Sequence, residues 1–122
     1  MIDFKKLKHS FEFAFDGVSY SLKNDQNLRI HLLVSFLVIL ASVFFRVNAF
    51  EMGILGVMIL LVISTEMINT AIEKMTDLIK KEHSEEARIS KDVAAGMVLL
   101  TALGSIIVGI LIFVPHILRL FK

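Results

Sequence analysis

The chain has 122 residues, of which 56% are hydrophobic, with one proline, no cysteine and a formal net charge of +1. A soluble domain of this length could not hide so much apolar surface. Without cysteine there is no disulfide, thiol nucleophile or Cys-type zinc site, and so small a net charge excludes a strong field for nucleic acid.

Residues 1–27 are expected to form an amphipathic helix lying in the plane of a membrane surface. Phe4, Leu7, Phe11, Phe15 and Val18 recur at three- and four-residue spacing, and Lys5, Lys6, Lys8, Glu12 and Asp16 fall largely between them. A helix packed on the end of its own bundle would show the same pattern. The start MIDFKKLKHS is charged, so no cleavable leader is expected.

Three uncharged runs follow, 32–45, 52–65 and 93–115. With their flanks they predict transmembrane helices over 29–47, 50–80 and 91–119. Arg29 and Arg46 flank the first run and can snorkel to the two interfaces. The short link at Arg46-Val47-Asn48 makes the first two spans an antiparallel hairpin. The second connection, 81–90, is polar. The expected fold is thus all-α and integral to the membrane, with three spans and a surface helix. Gly53, Gly56, Ala94, Ala95, Gly96, Thr101, Ser105 and Gly109 are expected to let helices approach closely, within a chain and between chains of a homo-oligomer. Lysines and arginines gather before the first span and around the second connection. That places both on the cytoplasmic side.

The second span carries the most informative segment. Glu66, Asn69, Glu73 and Asp77 are spaced by three, four and four residues, which makes one stripe on a helix. A helix simply emerging into water accounts for Asp77 and tolerably for Glu73. It accounts poorly for Glu66, which has Met67, Ile68, Ala71 and Ile72 around it. A carboxylate at membrane depth is costly unless paired, protonated or bound to metal, and such residues mark function. Mg²⁺ takes one or two carboxylates plus phosphate oxygens. Phosphoryl transfer needs that metal, positive charge on the phosphates and a base at the acceptor hydroxyl. Glu73 suits the metal, and the deeper Glu66 suits a base at a lipid hydroxyl. Lys91 and Asp92 open the third span. Lys91 can neutralise phosphate beside a helix N-terminus, although an interfacial lysine and a first-turn aspartate are common there. Asp25 precedes the first span, as a second metal carboxylate or as a helix cap. His31 reads as an ordinary interfacial histidine. No P-loop, protein-kinase or HExxH motif is present.

These residues resemble the prokaryotic diacylglycerol kinase family, which includes the undecaprenol kinases. Glu66-Met-Ile-Asn69-Thr-Ala-Ile-Glu73-Lys-Met-Thr-Asp77 fits that family's E-x-x-N-[ST]-A-I-E-x-x-x-D. Lys91-Asp92-x-Ala-Ala, Asp25 and Gly17 add to the likeness, which covers nearly the whole chain.

The resemblance implies an ATP- and Mg²⁺-dependent lipid kinase of the bacterial cytoplasmic membrane, a homotrimer with active sites shared between chains. It implies Glu66 as proton acceptor, with Asn69 ordering the catalytic carboxylate and Ala95 beside the lipid. It implies Asp25 and Glu73 as metal ligands, and nucleotide contacts from Lys6, Phe13, Asp77, Glu82, His83, Ser84, Lys91 and Asp92. The family commonly has glutamate at the position of Asp25, and Lys6 stands where a well-known relative has arginine. The segment Asp25-Gln26-Asn27-x-x-x-His31 is more similar to the Gram-positive branch, which favours undecaprenol. The alternative acceptor is diacylglycerol, giving phosphatidic acid. Two readings of another class are a non-enzymatic small membrane oligomer and a proton or ion carrier using Glu66. The first leaves the carboxylate stripe unexplained. The second asks for polar groups deep in several helices, where the other two spans offer serines and threonines.

Overall fold

The structure, a computed structural model, describes residues 1–79 and 84–122. They form four helices: α1 (Phe4–Asn24), α2 (Gln26–Phe44), α3 (Ala49–Ile79) and α4 (Glu85–Arg119). The last three are long and apolar enough to cross a membrane.

Side-chain caps set the start of each helix. Asp3 Oδ1 accepts the Lys5 and Lys6 N–H groups at 3.0 and 3.1 Å and starts α1. The Asp25 N–H donates to Ser21 O at 2.8 Å and closes α1. Its own Oδ1 then accepts Asn27 and Leu28 N–H at 2.9 and 3.2 Å, so α2 begins at Gln26, ahead of the span expected from 29. Asn48 and Glu51 form a reciprocal capping box at the start of α3, at 2.8 and 3.2 Å. Ser84 Oγ accepts Ala87 N–H at 3.1 Å. The acidic residues Glu85 and Glu86 fill the first turn of α4, where the helix dipole favours them. Residues 85–90, expected in a connection, therefore belong to α4.

The α2–α3 link has the geometry of a Schellman cap. Val47 N–H reaches Ser42 O at 3.1 Å, and Arg46 N–H reaches Val43 O at 3.2 Å. Arg46 takes φ 54° there. A side chain in this left-handed region costs about 1–2 kcal/mol relative to glycine.

Packing is strongest between α3 and α4, with α2 laid against α3. Leu28, Leu55, Val62, Ala94 and Ile112 are the buried apolar residues. The Thr65 and Thr101 hydroxyls meet at 3.0 Å across the α3–α4 seam, and His116 Nε2 meets Glu51 Oε2 at 2.9 Å near one end. Of the small residues expected at close contacts, Ala94 is buried and Thr101 bonds across the seam. Gly53, Gly56, Gly96 and Gly109 have open space where a Cβ would stand. The close approach falls instead at Gly104, whose added Cβ would lie 3.7 Å from the Met58 side chain. Spacing alone does not tell which face of a helix meets its neighbour within one chain.

The Thr65–Thr101 bond should be modest, because each hydroxyl keeps a backbone acceptor on its own helix. A double-mutant cycle of Thr65→Val and Thr101→Val, followed by thermal unfolding in detergent, should give a coupling of about 0.6 kcal/mol.

Candidate active site

The stripe on α3 holds together as one face, with a gradient of exposure. Glu66 is 1% exposed and Asn69 8%, whereas Glu73 and Asp77 are exposed. Neither Glu66 carboxylate oxygen has a hydrogen-bond partner, and Asn69 Oδ1 has none. Three buried acceptor oxygens thus converge one turn apart. Burying such groups unpaired costs free energy, so a native protein that does so usually has a use for them. The Asn27 amide and the side chains of Asp25, His31 and Glu73 stand around Glu66. Asn69 Nδ2 donates toward Glu73 Oε1 at 3.5 Å, a long contact.

Thr70 ties this face to the start of α2. Its hydroxyl lies 2.8 Å from Asp25 Oδ2 and 3.2 Å from Glu66 O. Asp25 is half-buried, with one oxygen capping α2 and the other on Thr70. A carboxylate oxygen has two lone pairs; Oδ1 already accepts two N–H groups, so Oδ2 is the oxygen that can still accept another partner. Lower on α3, Lys74 Nζ sits 5.7 Å from the centre of the Tyr20 ring, which pins α1 against α3.

At the exposed end of the stripe, Lys91 of α4 forms an ion pair with Asp77 of α3. This sets an ammonium beside the carboxylates. Asp92 turns to Arg88 on its own helix at 3.1 Å. Ala95 is exposed, one turn beyond Lys91. Lys6 is exposed on α1, and Phe13 is 72% exposed beside the His9 ring. Among the described residues no hydrogen bond or ion pair joins Lys6 or Phe13 to α3. Ser84 serves as the cap of α4, and Glu82 and His83 lie outside the described residues. One chain therefore gathers Asp25, Glu66, Asn69, Glu73, Asp77 and Lys91, and leaves Lys6, Phe13 and Asp92 apart.

Sequence reasoning did not single out Thr70, although it sits inside the motif one turn after Glu66. It set His31 aside, yet His31 is among the side chains that stand around Glu66. No group of three or more His, Asp or Glu side chains is arranged to hold a metal among the described residues. The oxygens present are hard donors, and Mg²⁺ needs only one or two carboxylates when phosphate oxygens complete its shell. Asp25 and Glu73 are carboxylates of that kind, each hydrogen-bonded to a residue of the same stretch of α3, Thr70 and Asn69.

Thr70→Ala should remove the tie between α3 and the α2 cap and lower stability by about 1 kcal/mol. Thr70→Ser should retain most of it. Thermal unfolding of the purified variants in detergent checks the difference.

Comparison with known proteins places most of the chain beside one family. Residues 12–113 match the family described as prokaryotic diacylglycerol kinase. A diacylglycerol kinase of Synechocystis sp. is 38% identical over 112 residues, covering 91% of this chain and 64% of that protein. The chain thus spans a little under two thirds of that relative's length. An undecaprenol kinase of Bacillus subtilis is 34% identical over 106 residues, covering 87% of this chain and 86% of its own length. The chain belongs to the prokaryotic diacylglycerol kinase family.

Proposed function

We propose that the protein is a membrane lipid kinase that moves the γ-phosphate of ATP onto the hydroxyl of a membrane lipid alcohol. The observation that carries this reading is Glu66, a buried carboxylate with both oxygens unpartnered, at the end of the apolar part of α3. A lipid hydroxyl arriving from the bilayer would supply the missing donor.

In the proposed reaction the lipid hydroxyl gives its proton to Glu66. Its oxygen attacks the γ-phosphorus, and the bond from that phosphorus to the ADP oxygen breaks. Asn69, next to Glu66 on the stripe, orders the carboxylate face. A bound Mg²⁺ would neutralise phosphate charge, held by Asp25 and Glu73. Thr70 keeps Asp25 against α3. Lys91 can shift its ammonium from Asp77 to a phosphate oxygen, since Asp77 is largely exposed and Lys91 partly so.

The sequence's charge bias supports a cytoplasmic site, where ATP is, in a bacterial cytoplasmic membrane. The exposed Phe4, Phe11 and Phe15 of α1 support a helix resting in the interface. Lys6, Phe13 and Asp92, standing apart from the stripe within one chain, support a homotrimer whose sites are completed by a neighbouring copy.

Undecaprenol is the proposed acceptor, on the strength of the Asp25-Gln26-Asn27-x-x-x-His31 segment. The Synechocystis relative, named for diacylglycerol, favours the second reading, phosphorylation of diacylglycerol.

Purified protein in mild detergent, given Mg-ATP labelled in the γ-phosphate, should transfer label to a lipid alcohol. The ratio of rates on undecaprenol and diacylglycerol identifies the acceptor. Glu66→Gln should remain folded and lose a factor of about 10²–10⁴ in kcat. No transfer to either lipid from folded wild-type protein would overturn the kinase reading. Chelation should abolish transfer, and Mg²⁺ should restore it. Glu73→Gln should raise the Mg²⁺ concentration needed for half-maximal rate by at least about tenfold, the lower range for disturbed metal sites.

A further inference from the structure

The end of the bundle farthest from the stripe carries a second built feature. A cavity of about 430 Å³ opens between the α2–α3 link and the end of α4, lined by Phe44, Phe45, Arg46, His116, Arg119 and Leu120. Three of the six lining residues are basic and the other three are apolar. The one acidic side chain nearby is Glu51. Its Oε2 meets His116 Nε2 at 2.9 Å and accepts Asn48 N–H at 3.2 Å, and the Arg119 charge acts on the carboxylate only at longer range. Among the described residues neither the Arg46 nor the Arg119 guanidinium has a hydrogen bond or an ion pair. The Phe45 ring stands 5.0 Å from Phe44 and 6.1 Å from Phe113, which fixes the link against α4.

Arg46 is also the only non-glycine residue with positive φ among those described, at 54°. A helix cap of this kind favours glycine. An arginine kept in a strained cap points to a use for its side chain. Two guanidiniums without a bonded partner, over an aromatic and aliphatic floor, match a phosphodiester with attached acyl chains.

We propose that this cavity binds the phosphate headgroup of an anionic membrane phospholipid, with Arg46 and Arg119 on the phosphate and the acyl chains over Phe44 and Leu120. The site lies apart from the kinase chemistry and does not depend on it. A free phosphate ion would meet the same guanidiniums without the apolar floor.

Native mass spectrometry of the purified full chain tests the proposal, using phosphatidylglycerol and phosphatidylcholine of identical acyl chains. A basic side chain near a charged headgroup contributes a factor of roughly five. Wild type should therefore hold phosphatidylglycerol at least about tenfold more tightly. Arg46→Gly and Arg119→Gln should each cut that preference about fivefold, and together they should erase it. Glycine accepts φ 54° freely, so Arg46→Gly should unfold no earlier than wild type in lipid-free detergent, and its lost binding is not lost fold. Equal binding of the two lipids by wild type, or a preference that survives both substitutions, would overturn the proposal. Displacement of phosphatidylglycerol by millimolar inorganic phosphate would reassign the cavity to the free ion.

Discussion

Three of the four helices meet at one residue, Asp25. Through its backbone N–H, Asp25 ends α1; through Oδ1 it starts α2; through Oδ2 it reaches Thr70 on α3. Short polar contacts of this kind matter most where apolar packing is thin, and few residues of the single chain are buried. The Tyr20–Lys74 contact adds a second attachment of α1 to α3. Fixing Asp25 also fixes where the start of α2 stands relative to Glu66, and hence how Asn27 and His31 approach the buried carboxylate.

That junction lets Glu66 be both buried and unpaired. A side chain on a mobile segment would turn its charge to water. On the interior of a long helix, with Thr65 bonded to α4 on one side and Thr70 bonded to Asp25 on the other, Glu66 has no such escape. The free energy cost of its burial is offset by the packing of the helices around it. In the proposed reaction that cost becomes reactivity toward a hydroxyl proton.

The existence and order of the long helices were legible because uncharged apolar runs, extended by their flanks, reach the length of a membrane span. Their ends were less so. Ser84 can cap a helix or sit in a loop, and the choice turned on Glu85 and Glu86 suiting a first turn. The burial of Glu66 was legible from its apolar neighbours. The role of Thr70 was not, because a helical threonine ordinarily bonds back to its own helix, as this one also does. The Lys91–Asp77 pair required the register of α4 against α3, which residue spacing within either helix does not contain. The open space beside Gly53, Gly56 and Gly96 has the same origin: periodicity defines a face, and only packing defines what meets it.

The unbroken course of α3 makes it a ruler. Its 31 residues measure about 46 Å, against a hydrocarbon thickness of about 30 Å. Glu66 and Asp77 are therefore about 16 Å apart along one rigid axis, and no loop can adjust the interval. Inserting or deleting a single residue between them would swing every later side chain about 100° around that axis. The motif is in this sense a fixed length and angle as much as a set of residue types.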